Sequence, residues 1–289
     1  MSAQPRRVEN QLTDKGYVPV YTTAIVDQPW DSYTEQDHAT WSTLFRRQRE
    51  ILKDRACAEF IENQQRFGMS ADRIPRFEAL NEVLGKATGW KLIGVEGLLP
   101  ELDFFDHLAN RRFPVTWWIR RPDQIDYIAE PDMFHDLFGH VPLLLNPVFA
   151  DYMAAYGRGG VKAHGVSAAA LVNLTRLYWY TVEFGLIRQH GELRIYGSGI
   201  VSSKGESIHS LESSSPNRIG FDLQRIMRTR YRIDTFQKTY FVFYSFDQLM
   251  DATRPDFVPI YAALAAQPSM AAGDVLDSDG HGLVDALLH

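Results

Sequence analysis

Cysteine is all but missing from this chain: Cys57 is the single thiol among 289 residues. An intrachain disulfide is therefore excluded, and so is a zinc cluster built on thiolates. A basic excess is missing too. Lys and Arg number 30 against 36 Asp and Glu, a formal charge of −6 with the His neutral. Such a balance is unsuited to displacing counterions from nucleic acid. No run approaches the ~18 consecutive apolar residues of a membrane-crossing helix. Arg6 and Arg7 have no apolar stretch behind them, which is not the pattern of a secretory signal. These absences lead to the expectation of a cytoplasmic protein with neither membrane nor nucleic acid as partner. Internal repeats and low-complexity blocks are also lacking. What is present, 45% hydrophobic and 12% aromatic side chains, excludes disorder. A chain of this length can bury about 75% of its unfolded surface, enough for one large core.

The apolar pattern predicts a mainly α (α+β) fold: one domain of packed helices with a small, short-stranded sheet, since nothing alternates in the βαβ manner. Residues 1–36 read as an extended arm lying on the body, 37–262 as the domain itself, and 263–289 as a loose, Ala- and Gly-rich tail. Helical spacing runs from Thr40 to about Phe67, where Gly68 ends it, and again through Phe77, Leu80, Val83 and Leu84. Pro100 to Asn110 forms a further helix, and Phe113 to Arg121 reads as a strand. The longest helix is expected from Ser167, as N-cap, to about Gln189. Short strands follow at Leu193–Tyr196 and Thr239–Tyr244. Gly157-Arg158-Gly159-Gly160 suggests a flexible loop within 146–165.

Reactive side chains are densest in Glu130-Pro131-Asp132-Met133-Phe134-His135-Asp136-Leu137-Phe138-Gly139-His140. On an unbroken α-helix a five-residue step turns ~500°, which leaves the two imidazoles ~140° apart. Gly139 and Pro142 therefore predict that the helix ends between them, letting His140 fold back toward His135. A distant carboxylate, Glu183, stands within Tyr178-Trp179-Tyr180-Thr181-Val182-Glu183-Phe184, surrounded by apolar groups. Burying an ionised carboxylate there costs several kcal/mol unless a cation compensates it. A metal held by His135 and His140 would be that cation. Two imidazoles and one carboxylate on one face of an ion is the arrangement of non-haem Fe(II) oxygenases, and zinc hydrolases share the ligand set. A non-catalytic helical interaction module is the third possibility for these residues. Asp277-Ser278-Asp279-Gly280 resembles the middle of a calcium loop but lacks its first ligand at Val275.

Several segments together resemble a known family. They are Gly89-Trp90, Val95-Glu96-Gly97-Leu98-Leu99, Trp118-Ile119-Arg120, Glu130-Pro131-Asp132, His135 through Leu143, Tyr178 through Leu186, and Tyr196-Gly197-Ser198-Gly199-Ile200-Val201-Ser202-Ser203. In order and spacing over roughly 89–206 they are similar to the aromatic amino acid hydroxylases, and among these to the short bacterial members that use phenylalanine. The resemblance implies His135, His140 and Glu183 as ligands of Fe(II), and Arg120 as the group that grips a substrate carboxylate. It implies further substrate contacts at Gly199 and Ser202, with Trp179 and Phe184 beside the substrate ring. A tetrahydropterin would lie against Phe104, held by the backbone of Val95, Gly97, Leu98 and Leu99, with Tyr178 nearby and Asp136 reached through water.

The implied reaction is para-hydroxylation of L-phenylalanine to L-tyrosine with O2 as co-substrate. A preference for tryptophan or tyrosine within the same family is the alternative, and Trp179 resembles the phenylalanine- and tyrosine-using branches. Two positions depart from the family pattern: Asp136 stands where animal members carry Glu, and Ile128 where they carry Thr. Without recognisable regulatory or oligomerisation segments, a monomer is expected.

Overall fold

The computed structural model describes residues 11–13 and 16–281. Within the arm, β1 (Gln11–Thr13) and β2 (Gly16–Val18) form a hairpin. The arm then crosses the body: Thr22 N donates to Leu98 O at 2.8 Å, and β3 (Ile25–Val26) pairs antiparallel with Val95 and Gly94. The first helix, α1 (Glu35–Leu52), starts earlier than the apolar spacing indicated. Its cap is a reciprocal Thr34–Asp37 box, in which each side chain accepts from the other's backbone N–H. The predicted Thr40–Phe67 helix is in fact two, α1 and α2 (Ala58–Arg66). Between them the backbone of Arg55 and Cys57 pairs with Ile195 at 2.8 Å on both sides, and this strand-like contact interrupts the helical ladder.

After α3 (Phe77–Ala87) come β4 (Lys91–Val95), α4 (Glu101–Ala109) and β5 (Arg112–Thr116); β4 and β5 pair in parallel, completing a sheet of order β3-β4-β5. The longest helix among the described residues is α5 (Pro147–Val166), which replaces the expected flexible loop. Asn146 caps it by accepting from Val148 N and Phe149 N, with Pro147 in the first turn. Its glycines serve contact, not flexibility. A Cβ on Gly157 would lie 2.2 Å from Ala109 N, and one on Gly160 2.1 Å from the Phe105 ring, so both glycines let α5 press against α4.

Ser167 does cap the next helix, accepting from Ala170 N, but α6 (Ala168–Tyr178) stops well short of Gln189. Leu186–Gln189 is a strand, β6, held antiparallel to β7 (Glu192–Ile195) and parallel to β9 (Thr239–Phe243). Tertiary pairing overrides local helical spacing here. Between β7 and β9 lie α7 (Ser198–Val201), α8 (Lys204–Glu212), β8 (Asn217–Gly220) and α9 (Leu223–Arg228). A further sheet runs β7-β6-β9-β8, so the described residues carry three small sheets where one was expected.

The segment expected to trail loosely from residue 263 folds back. After α10 (Phe246–Ala252) and α11 (Phe257–Ala265), Met270 pairs with the backbone of Arg228 and Arg230 at 2.9 Å. Asp279, 7% exposed, meets Arg225 at 3.2 Å, and Arg225 also donates to Asp274 O at 2.6 Å. Residues 282–289 of that tail lie outside the described residues. Among the described residues, no helix is long and apolar enough to cross a membrane.

Replacing Asp279 by Ala strands a buried guanidinium. Removing one partner of such a pair should lower unfolding free energy by about 3 kcal/mol, read as a shifted urea midpoint with an unchanged slope.

Candidate active site

The two histidines are brought together by a feature other than the predicted helix end. Residues His135–His140 form one turn of π-helix, in which hydrogen bonds close over five residues instead of four. A five-residue step that diverges on an α-helix returns to the same face there. The rings meet edge to face with centroids 4.9 Å apart and Nε2 atoms 3.1 Å apart. The opposite face of the turn is locked by stacking. Phe134 lies on Phe138 at 4.7 Å, Trp41 meets Phe134 at 5.6 Å, and Phe45 meets Phe138 at 5.4 Å, all fully or almost fully buried.

Glu183 arrives from a second π segment, Trp179–Glu183, which extends α6. Its Oε1 is 3.1 Å from His140 Nε2 and its Oε2 3.6 Å from His135 Nε2. Ser198 secures the carboxylate, donating at 2.8 Å to Oε2. The turn that brings Ser198 in depends on flanking glycines. A Cβ on Gly197 would sit 2.4 Å from Glu183 O, and one on Gly199 2.8 Å from the Phe184 ring.

The hydrogen bonds fix the protonation of His135. Ser202 Oγ spends its hydrogen on Ser198 O at 2.7 Å, so it can only accept from His135 Nδ1 at 2.9 Å. The ring proton therefore sits on Nδ1, and the Nε2 lone pair faces His140 and Glu183. Burial pushes the His135 imidazolium down to about 4, keeping the ring neutral at pH 7. Burial alone would raise the Glu183 carboxyl, but the two adjacent imidazoles and the Ser198 bond hold it well below the usual range. Two imidazoles, one of them fixed as a neutral donor, and one ionised carboxylate converge on a point. That donor set suits a divalent ion with open positions. His135, Asp136 and His140 also come within 4.8 Å of one another. Asp136, however, turns one oxygen to Thr116, accepting from its N–H and hydroxyl at 2.7 Å each, and burial raises its carboxyl to about 7. Glu183 touches both rings, whereas Asp136 is committed to Thr116.

A cavity of about 770 Å³ opens onto this point. His135 and Glu183 line it together with Arg120, Trp179, Phe184, Gly199, Ser202, Leu98 and Ile128. The expected substrate-side residues are thus assembled in one place. Arg120 is 6% exposed, and its Nε and Nη2 already make a two-pronged bond to Asp132 at 2.8 Å each, leaving Nη1 and the end of the fork for any ligand. Burial would raise the Asp132 carboxyl, yet the Arg120 charge and its hydrogen bonds hold it low. Asp132 also accepts from His135 N at 3.0 Å, tying the guanidinium to the first metal-side residue.

The expected pterin-side residues lie beyond the cavity lining, apart from Leu98. Phe104 meets the Tyr178 ring at 5.7 Å, and Tyr178 lies over His140 at 6.4 Å. Val95 O and Leu98 O each already accept a bond, from Trp117 N and Thr22 N. Gly97 and Leu99 are buried beside them. Sequence reasoning missed the supporting roles of Asp132, Thr116 and Ser198. Asp132, three residues before His135, had a capping spacing that could have exposed it; Ser198 had no such signal.

A family model described as the biopterin-dependent aromatic amino acid hydroxylases matches residues 25–261. The chain belongs to that family. It is similar to phenylalanine-4-hydroxylase of Ralstonia nicotianae, 64% identical over 254 residues, which cover 88% of this chain and 80% of that one. The phenylalanine-4-hydroxylase of Chromobacterium violaceum is 63% identical over 252 residues, 87% of this chain and 84% of that one. The solved structure of the C. violaceum enzyme with iron and phenylalanine bound superposes with a TM-score of 0.85 at 60% identity, over 90% of this chain and 94% of that one.

Ser198→Ala should weaken Fe(II) binding by roughly 10- to 100-fold, the usual cost of losing a group that orients a ligand. Titration against a competing chelator measures this, and unchanged affinity would mean that Glu183 is held without Ser198.

Proposed function

We propose that this chain hydroxylates L-phenylalanine to L-tyrosine, with Fe(II) held by His135, His140 and Glu183, a tetrahydropterin as reductant and O2 as co-substrate. The observation that carries the reading is the convergence of two imidazoles and an ionised carboxylate at the wall of an aromatic-lined cavity that also holds a buried arginine. When bound, the ion and the pterin supply the activation of O2 and two electrons.

The remaining work belongs to the protein. Arg120, braced by Asp132, presents its free edge to the substrate carboxylate and sets which end of the amino acid enters first. Trp179 and Phe184, with ring centroids 4.8 Å apart, form the wall against which the substrate ring lies. Ser202 keeps the His135 proton on Nδ1, so that Nε2 remains a donor to the metal through turnover. Phe104 and Tyr178 offer the pterin an aromatic edge on the His140 side, and the Val95–Leu99 backbone would hold it through groups other than the Val95 and Leu98 carbonyls, which Trp117 N and Thr22 N already engage. Asp136, held by Thr116, stands ready to bond through water. The same reading has the chain working as a cytoplasmic monomer, which sedimentation velocity and cell fractionation check.

His135→Ala and Glu183→Ala should each bind less than a tenth of the iron of the unaltered chain and lose tyrosine formation, since each removes one of three protein ligands. A non-catalytic module would keep its metal content and its stability in both variants. Supplied with tetrahydropterin, the Fe(II)-loaded protein should turn over phenylalanine faster than tryptophan and be inactive when loaded with Zn(II). Faster tryptophan turnover would reassign the substrate, and Zn(II)-supported hydrolysis would reassign the class.

A further inference from the structure

One wall of the cavity is built by residues 233–237, and Gln237 ties that wall to the rest of the site. Gln237 is 3% exposed. Its Oε1 accepts from Trp179 Nε1 at 3.1 Å, its Nε2 donates to Arg232 O at 2.8 Å, and its backbone N–H donates to Glu206 Oε1 at 3.0 Å. The amide has one workable orientation. Turned round, it would set an NH2 against the indole N–H and an oxygen against a carbonyl, losing both bonds. Glu206, 5% exposed, also receives the Tyr240 hydroxyl, so α8 and β9 together fix the main chain of Gln237.

Trp179 is constrained from two further directions. Its ring lies flat on Tyr231, with centroids 4.2 Å apart and planes 13° apart, and it borders Phe184 at 4.8 Å. Stacking fixes the plane of the indole but leaves sliding and in-plane rotation free. The bond to Gln237 removes that freedom. It also consumes the one polar atom of the indole, so the side facing the cavity presents hydrocarbon alone.

We propose that Gln237, anchored by Glu206, is a positioning residue that acts through the Trp179 indole N–H to hold the aromatic wall against which the substrate ring binds. The proposal rests on the reading of this cavity as the amino acid site. Three variants test it in the iron-loaded enzyme: Gln237→Met, which keeps length and volume but lacks the acceptor; Trp179→Phe, which lacks the donor; and the two combined. Losing a hydrogen bond of this kind should raise KM for phenylalanine by roughly tenfold in Gln237→Met, with kcat changed less than KM. Calorimetric titration with L-phenylalanine should show the same factor without turnover.

In the Trp179→Phe background Gln237→Met should add less than about twofold, because the contact it removes is already gone. Independent, multiplying effects in the double variant would overturn the proposal, as they would show Gln237 supporting the fold by another route. An unchanged phenylalanine affinity in Trp179→Phe, with activity retained, would instead overturn the assignment of the cavity. If the methionine variant does not fold, Gln237→Asn, one methylene short of the indole, carries the same cycle.

Discussion

His135 Nε2, His140 Nε2 and the Glu183 carboxylate are held in mutual contact at the edge of a cavity, and the rest of the molecule is organised around keeping them there. Such an arrangement is unfavourable in itself, because the Nε2 of His135 has no proton to share with its neighbours. One divalent ion satisfies all of them at once. The cost of crowding the donors is met by packing elsewhere. The aromatic stack of Trp41, Phe45, Phe134 and Phe138 behind the histidine turn, and the Gly197–Gly199 turn against Glu183, leave the side chains no other place to go.

The elements sort by what they hold. The β3-β4-β5 sheet delivers Thr116 to Asp136 and carries the chain on toward Arg120. The loop after it brings Asp132, which binds Arg120 and the first histidine together. The π segment Trp179–Glu183 that follows α6 delivers Glu183, and the start of α7 delivers Ser198 to that carboxylate. Each group that touches the ligand cluster is thus itself held by a neighbour from a different part of the chain, so its geometry does not depend on any one loop.

Much of this was legible in the residues. Glu183 stood out because a lone carboxylate in an aromatic run calls for a compensating charge, and the histidine pair stood out by density of reactive groups. The family resemblance then put Arg120, Trp179, Phe184, Gly199 and Ser202 around one cavity, where the structure has them. Local pattern failed where long-range contacts decide. Gly157 and Gly160 read as flexibility because the helix they press against cannot be seen from their neighbours in sequence. Leu186–Gln189 read as helix because its partners, β7 and β9, come later in the chain. The tail read as loose because the Arg225–Asp279 pair joins residues 54 apart. The histidine spacing was the instructive case: its awkwardness for an α-helix was real, but a wider turn resolves it instead of a break.

That wider turn has a consequence of its own. Both ligand-bearing segments, His135–His140 and Trp179–Glu183, carry one residue more per hydrogen-bonded ring than an α-helix does. What distinguishes this centre from two ordinary helices is therefore a matter of winding as well as of chemistry. Regular α winding over the same five-residue spacing would leave the two imidazoles ~140° apart, even with every ligand still encoded. Such a site depends on how its two segments are wound as much as on the side chains they carry.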